Sequence, residues 1–85
     1  MKIIKRNCAE VAFDVSKIEN DIRKANNEVS EDNRLKEEQI ALICKKVTAL
    51  ANDLNRAVNV EEIQDFVENQ IIDQKAFAVA RKYIT

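Results

Sequence analysis

Apolar and polar positions alternate in two rhythms along this chain. From Lys2 to Phe13 the order Lys-Ile-Ile-Lys-Arg-Asn-Cys-Ala-Glu-Val-Ala-Phe sets two short stretches with apolar ends around Asn7-Cys8, and it predicts a β-hairpin. Asn followed by Gly is the preferred two-residue turn, because both positions take positive φ. Cys8 in the second place costs on the order of 1 kcal/mol there, so the hairpin needs support from the rest of the fold.

At Val15 the period changes. Val15, Ile18, Ile22, Ala25 and Val29 recur at spacings of three and four, which places one apolar stripe on a helix beginning near residue 15. Ser16 with Glu19 offers a capping box, and Asp14 is the rival N-cap. Ser30 to Arg34 holds no apolar residue and several turn formers, so it reads as a loop. A longer stripe follows through Ile40, Ile43, Val47, Leu50 and Leu54, with Cys44 and Ala51 beside it, and predicts a helix from about residue 36 to about 54.

The run Ala57-Val58-Asn59-Val60 interrupts helical spacing before it resumes at Ile63, Phe66, Val67 and Ile71. Placed between two helices, it is most economically a third strand lying against the hairpin. Asn59 with Glu62 offers a further capping box. Asp73 and Gln74 punctuate the next connection, and Lys75 to Thr85 read as a last helix turning Ala76, Phe77, Ala80 and Ile84 inward. The predicted order is β-β-α-α-β-α-α: a mainly helical α+β fold, with a small three-stranded sheet packed on four helices.

Composition narrows what such a fold does. Eighty-five residues make one domain, 1–85, with a single core and no room for a large catalytic centre. The 14 basic and 15 acidic residues nearly cancel, so the chain lacks the positive field by which proteins collect nucleic-acid phosphates. Without histidine the usual general base and the commonest metal ligand are missing, and neither a catalytic nor a metal-binding set emerges. Cys8 and Cys44 stand far apart with no CxxC pairing, as free thiols of a reducing cytoplasm would; Cys44 reads as a small buried hydrophobe. Nothing approaches the roughly 18 apolar residues of a membrane span.

The chain has no glycine and no proline. That removes every glycine-rich phosphate cradle, whose backbone positions only glycine fills without strain. A bound nucleotide would have its phosphates held by side chains. Lys5 and Arg6 are adjacent on a strand and point to opposite sides, so both reach one phosphate chain only if it runs along the strand edge or past the turn. Lys17 adds a cation from the first helix, and Asp14 is suited to accept a hydrogen bond from the exocyclic amine of adenine. Taken singly, the Lys-Arg pair reads as a solvated face, Asp14 as a cap, and Val60 and Ile63 as core.

Read together, residues 3–18, IIKRNCAEVAFDVSKI, resemble the opening of the ATP-cone: an apolar strand, Lys5-Arg6, a turn, an apolar strand, then Phe13-Asp14 and Lys17-Ile18. Val58 to Ile63 is similar to the family's third strand turning into its third helix, and Ala80 to Tyr83 to its closing helix. Cys8 stands where the family has a turn glycine, and Ala12 where proline or a polar residue is common. The resemblance implies an effector site for ATP or dATP with Mg²⁺. Phosphate contacts then fall to Lys5 and Arg6, base or ribose contacts to Val11, Asp14, Lys17 and Ile18, and pocket-wall or helix-terminus contacts to Val60 and Ile63. It also implies a non-catalytic, cytoplasmic regulatory part at the N-terminus of a longer ribonucleotide reductase, closest to the anaerobic triphosphate reductases, with the catalytic domain or subunits as partners.

The competing reading is a helical interaction or homo-oligomerisation module, an engineered variant included, that no longer binds nucleotide. A transcriptional regulator containing the same cone would carry a cysteine-rich zinc segment ahead of it, and residues 1–7 show none. No membrane and no nucleic-acid partner are expected.

Overall fold

The computed structural model describes residues 2–4, 7–54 and 57–84. Strands β1 (Lys2–Ile4) and β2 (Glu10–Ala12) precede α1 (Val15–Asn27), a one-turn 3₁₀ helix (Glu31–Asn33) and α2 (Glu37–Asp53). Strand β3 (Val58–Asn59), α3 (Val60–Asp73) and α4 (Phe77–Ile84) complete the order. This is the mainly helical α+β arrangement expected from the sequence. β1 lies at the centre of the sheet, antiparallel to β2 with Ile3 opposite Val11, and parallel to β3 with Ile3 opposite Val58.

The hairpin departs from a two-residue turn. Ile4 pairs with Glu10, which sets Asn7 at the tip, and positive φ (68°) falls on Cys8 and not on Asn7. Asn7 Oδ1 accepts the Ala9 N–H at 3.1 Å, a local bond that holds the tip without glycine. Cys8 and Cys44 are both free thiols. Cys44 is partly buried against the core, and burial pushes its thiol pKa up, which suits packing better than nucleophilic work.

α1 starts where the sequence places it, and Asp14 rather than Ser16 is the cap: its side chain accepts the Ser16 N–H. Ser16 is already inside the helix, so the Ser16–Glu19 box does not form. Asn59 does cap α3, but its side chain makes no capping hydrogen bond, because β3 runs straight into the helix there. α1 packs against α2 and α4, and α3 against the same two. Ile22, Ile43, Val47, Val67, Ile71 and Val79 are wholly buried between them, each contributing roughly 1.5–3 kcal/mol of transfer free energy.

α4 presents a different face from the one expected. Val79 and Ala80 are buried and Ala76 and Tyr83 pack on the core, whereas Phe77 and Ile84 are 61% and 59% exposed. The stripe is rotated by about one residue, or about 100° of helix, because the chain arrives through a capped turn at Lys75. There the Ala76 N–H bonds Ile71 O (3.3 Å) and the Lys75 N–H bonds Ile72 O (2.8 Å), while Lys75 takes φ 63°. That is a Schellman C-cap with lysine at the position glycine usually fills. Lys75→Gly is therefore expected to stabilise the fold by about 0.5–1 kcal/mol, a rise in Tm of a few degrees by thermal circular dichroism. An unchanged or lower Tm would mean that the left-handed lysine carries no penalty.

Candidate functional site

Two short connections lead from the sheet into helices. β2 leads through Phe13 and Asp14 into α1, and β3 leads without a break into α3. β2 ends beside Lys2 and β3 ends beside Ile4, so α1 and α3 leave opposite ends of β1, and residues from the start of each border one cleft. That cleft has a volume of about 250 Å³. Ile3 and Val11 form its floor from the sheet, Lys17, Ile18 and Asp21 line it from α1, and Val60, Ile63 and Gln64 from the start of α3. Phe13 and Tyr83 complete the apolar lining.

Six of the eight residues singled out from the sequence meet here: Val11, Asp14, Lys17, Ile18, Val60 and Ile63 all border this one cleft. Lys5 and Arg6 lie outside the described residues. Sequence reasoning missed Asp21, Gln64 and Tyr83 as site residues. Asp21 continues the Asp14–Lys17 spacing along α1 and was open to detection by period, but Gln64 and Tyr83 enter only through the packing of α3 and α4 on α1.

Among the described lining residues the charges are two carboxylates, Asp14 and Asp21, and one ammonium, Lys17. The interior thus favours hydrogen-bond donors over anions. The volume is just under the roughly 300 Å³ at which pockets begin to enclose a drug-sized ligand, enough for a base and part of a sugar. A phosphate chain on the same ligand would lie outside the cleft.

Asp14 is held in a fixed state. Its Oδ1 accepts the Ser16 N–H at 3.0 Å and the Ser16 hydroxyl at 2.6 Å. The hydroxyl bond first, then the backbone bond, with Lys17 assisting, hold its carboxyl below the ordinary value of 3.8. A depressed carboxylate pKa means the cap's contribution is complete above pH 3.8 and is lost as the pH falls through the folded value. An Asp14→Ala variant should accordingly melt below the wild type at pH 7, and the gap between the two should close in strong acid. Melting curves across that range decide it; a gap that widens in acid would be incompatible with a depressed pKa. Burial, reinforced by Asp21, pushes the Tyr83 phenol up to about 12, so it stays a neutral donor at physiological pH.

The description of one family, the ATP cone domain, matches residues 1–85, the whole chain. No curated protein matches it.

Proposed function

Since the chain belongs to the ATP-cone family, whose members are nucleotide-binding regulatory domains without catalytic function, we propose that this domain reads adenine nucleotide, ATP or dATP, in the cleft between α1 and α3 and regulates a ribonucleotide reductase. The observation that carries the reading is the convergence of Val11, Asp14, Lys17, Ile18, Val60 and Ile63 on one cleft large enough for a base and part of a sugar. The base enters against Phe13 and Ile18, and Asp14 accepts from its exocyclic amine. The triphosphate leaves the cleft toward Lys17 and the hairpin, where Lys5 and Arg6 are its counter-charges. The amides that open α3 beside Val60 add a partial positive end.

Mg²⁺ arrives on the phosphates as the nucleotide's counterion. Among the described residues no three His, Cys, Asp or Glu side chains lie together to hold a metal, and Mg²⁺ is ordinarily bound through phosphates and water with one or two carboxylates. The occupied domain acts on the catalytic domain or subunits of the parent reductase in the cytoplasm, as the N-terminal part of that longer chain. Such control requires ATP and dATP to favour different arrangements of the assembly. Among the described residues no helix is long and apolar enough to cross a membrane.

Titration calorimetry with ATP and dATP tests the proposal. Saturable heat is expected for the wild type, with affinity reduced about ten-fold or more when Lys5→Ala and Arg6→Ala remove two phosphate partners. Absence of both heat and amide chemical-shift change at millimolar nucleotide would overturn it. A second reading has one observation in its favour: Phe77 and Ile84, seven residues apart, form an exposed apolar stripe on α4. If self-association persists without nucleotide and is abolished by Phe77→Ser with Ile84→Ser, that stripe is an oligomer contact and not merely a face for the parent enzyme.

A further inference from the structure

A groove of about 390 Å³ runs between the last turn of α2 and the first half of α3. Leu50, Leu54 and Phe66, each half-buried, form its walls, and the buried Val58 and Ile63 its base. On α3 its bordering residues include Glu62, Phe66 and Asn69, spaced four and three apart. It therefore follows one face of that helix for two turns, or roughly 10 Å. Val60 and Gln64 border the cleft instead, so an occupant of the groove leaves the cleft open.

The rim carries one sign. Glu62 and Asp65 border the groove, and among the described residues no lysine or arginine does. The bias runs along the whole of α3, which holds Glu61, Glu62, Asp65, Glu68 and Asp73 and no basic residue. Glu61 and Glu62 are accounted for by the positive end of the helix they open. Asp65 is not, and it makes no hydrogen bond or ion pair among the described residues. Asp53, next to Leu54, closes α2, where the helix's own partial negative charge opposes a carboxylate and no basic residue in the last turn offsets it. Helix formation gains nothing from either aspartate, whereas a cation brought to the groove would be attracted by both and by the end of α2.

We propose that this groove docks a cationic amphipathic helix of a partner protein, with leucine-type side chains set against Leu50, Leu54 and Phe66 and lysine or arginine against Asp65 and Asp53. A groove this long faces two turns of a helix, which present two or three apolar side chains to it. An extended chain would lay only about three residues along it, with one or two of them pointing in. The site is independent of nucleotide binding.

A peptide of about four helical turns, roughly 14 residues, built of lysine with leucine at helical spacing, is titrated into the isotope-labelled chain and followed by amide chemical shifts. Two controls have the same length, one with glutamate for lysine and one with serine for leucine. The leucine–lysine peptide is expected to shift Leu50, Leu54, Val58, Phe66 and Asn69 saturably. Each control should bind at least about ten-fold more weakly, since one lacks the charge match and the other the apolar anchors. Asp53 and Asp65 are exposed, so the double variant Asp53→Lys with Asp65→Lys should keep its circular dichroism and bind the leucine–lysine peptide about ten-fold or more weakly. Shifts centred elsewhere on the chain, a serine control that binds as well as the leucine peptide, or a folded double variant with wild-type affinity overturns the docking site. Sedimentation of the chain alone separates a foreign helix from a second copy. Self-association that the peptide displaces and the double variant abolishes would make the groove a contact between copies and overturn the docking of a foreign helix.

Discussion

Replacing Asn26 by alanine is expected to remove roughly 2–4 kcal/mol of folding stability and lower the Tm by on the order of 10–20 °C. Asn26 is the sole polar residue among the buried side chains of the described residues. Its Nδ2 donates to Leu35 O at 3.1 Å and its Oδ1 accepts from Leu35 N at 2.7 Å. Leu35 is itself buried at the entry to α2, so truncation strands one amide N–H and one carbonyl at a site water does not easily reach. Each unsatisfied backbone group costs about 1–3 kcal/mol, and a domain of this length holds only about 4–13 kcal/mol in total. Neighbouring bonds do not replace the lost pair. Arg34 donates to Val29 O at 2.9 Å and ties down the end of α1 from outside, and Arg23 bridges Glu19 and Glu37 on an exposed face, where ion pairs contribute little. Urea unfolding provides the measurement, and a loss below about 0.5 kcal/mol would show that water takes Asn26's place at no cost.

Charge reversal at Lys17 should act on binding and spare the fold. Lys17 is exposed on the first turn of α1 and is the one basic residue among the described residues of the cleft. Lys17→Glu would set a third carboxylate beside Asp14 and Asp21, where the ligand's phosphates leave the cleft. Like charges a few ångströms apart repel by several kcal/mol when partly desolvated, less when screened. A fall in nucleotide affinity of about a hundred-fold or more is expected, partly recovered in high salt. An acidic residue near a helix N-terminus favours the helix, so the Tm should hold or rise slightly while binding collapses. Calorimetric titration at low and high ionic strength reads the effect; affinity within about three-fold of the wild type would place the phosphates elsewhere.

What was legible in the chain and what was not divides along one physical line. The stripe from Val15 through Val29 and the stripe from Ile40 through Leu54 located α1 and α2 to within two residues of their last turns, because a buried helical face must repeat every three to four residues whatever it packs against. The interruption of that repeat at Ala57–Val60 marked a third strand lying against the hairpin, and Val58–Asn59 forms it, paired with β1. Where the answer depended on a partner, local pattern fell short. Phe77 and Val79 are both apolar, and only the lysine turn that precedes α4 decides that Val79 points in. Asn26 sits next to an apolar stripe and looks like a tolerated polar neighbour until Leu35 is found against it. At the site, contiguous residues 11–18 were within reach of motif reading, whereas Gln64 and Tyr83 arrive from 43 or more positions beyond Asp21 and are brought there by packing alone.

The brevity of the sheet carries a consequence of its own. With β1 central, β2 and β3 are the two outer strands, three and two residues long. An outer strand offers unpaired amides and carbonyls to any passing extended chain, and one only two or three residues long offers too few to hold a visitor. A domain with a 46% hydrophobic sequence and a net charge near zero thus gives little purchase to edge-on fibril growth, and crowding at high concentration acts on its helical faces instead.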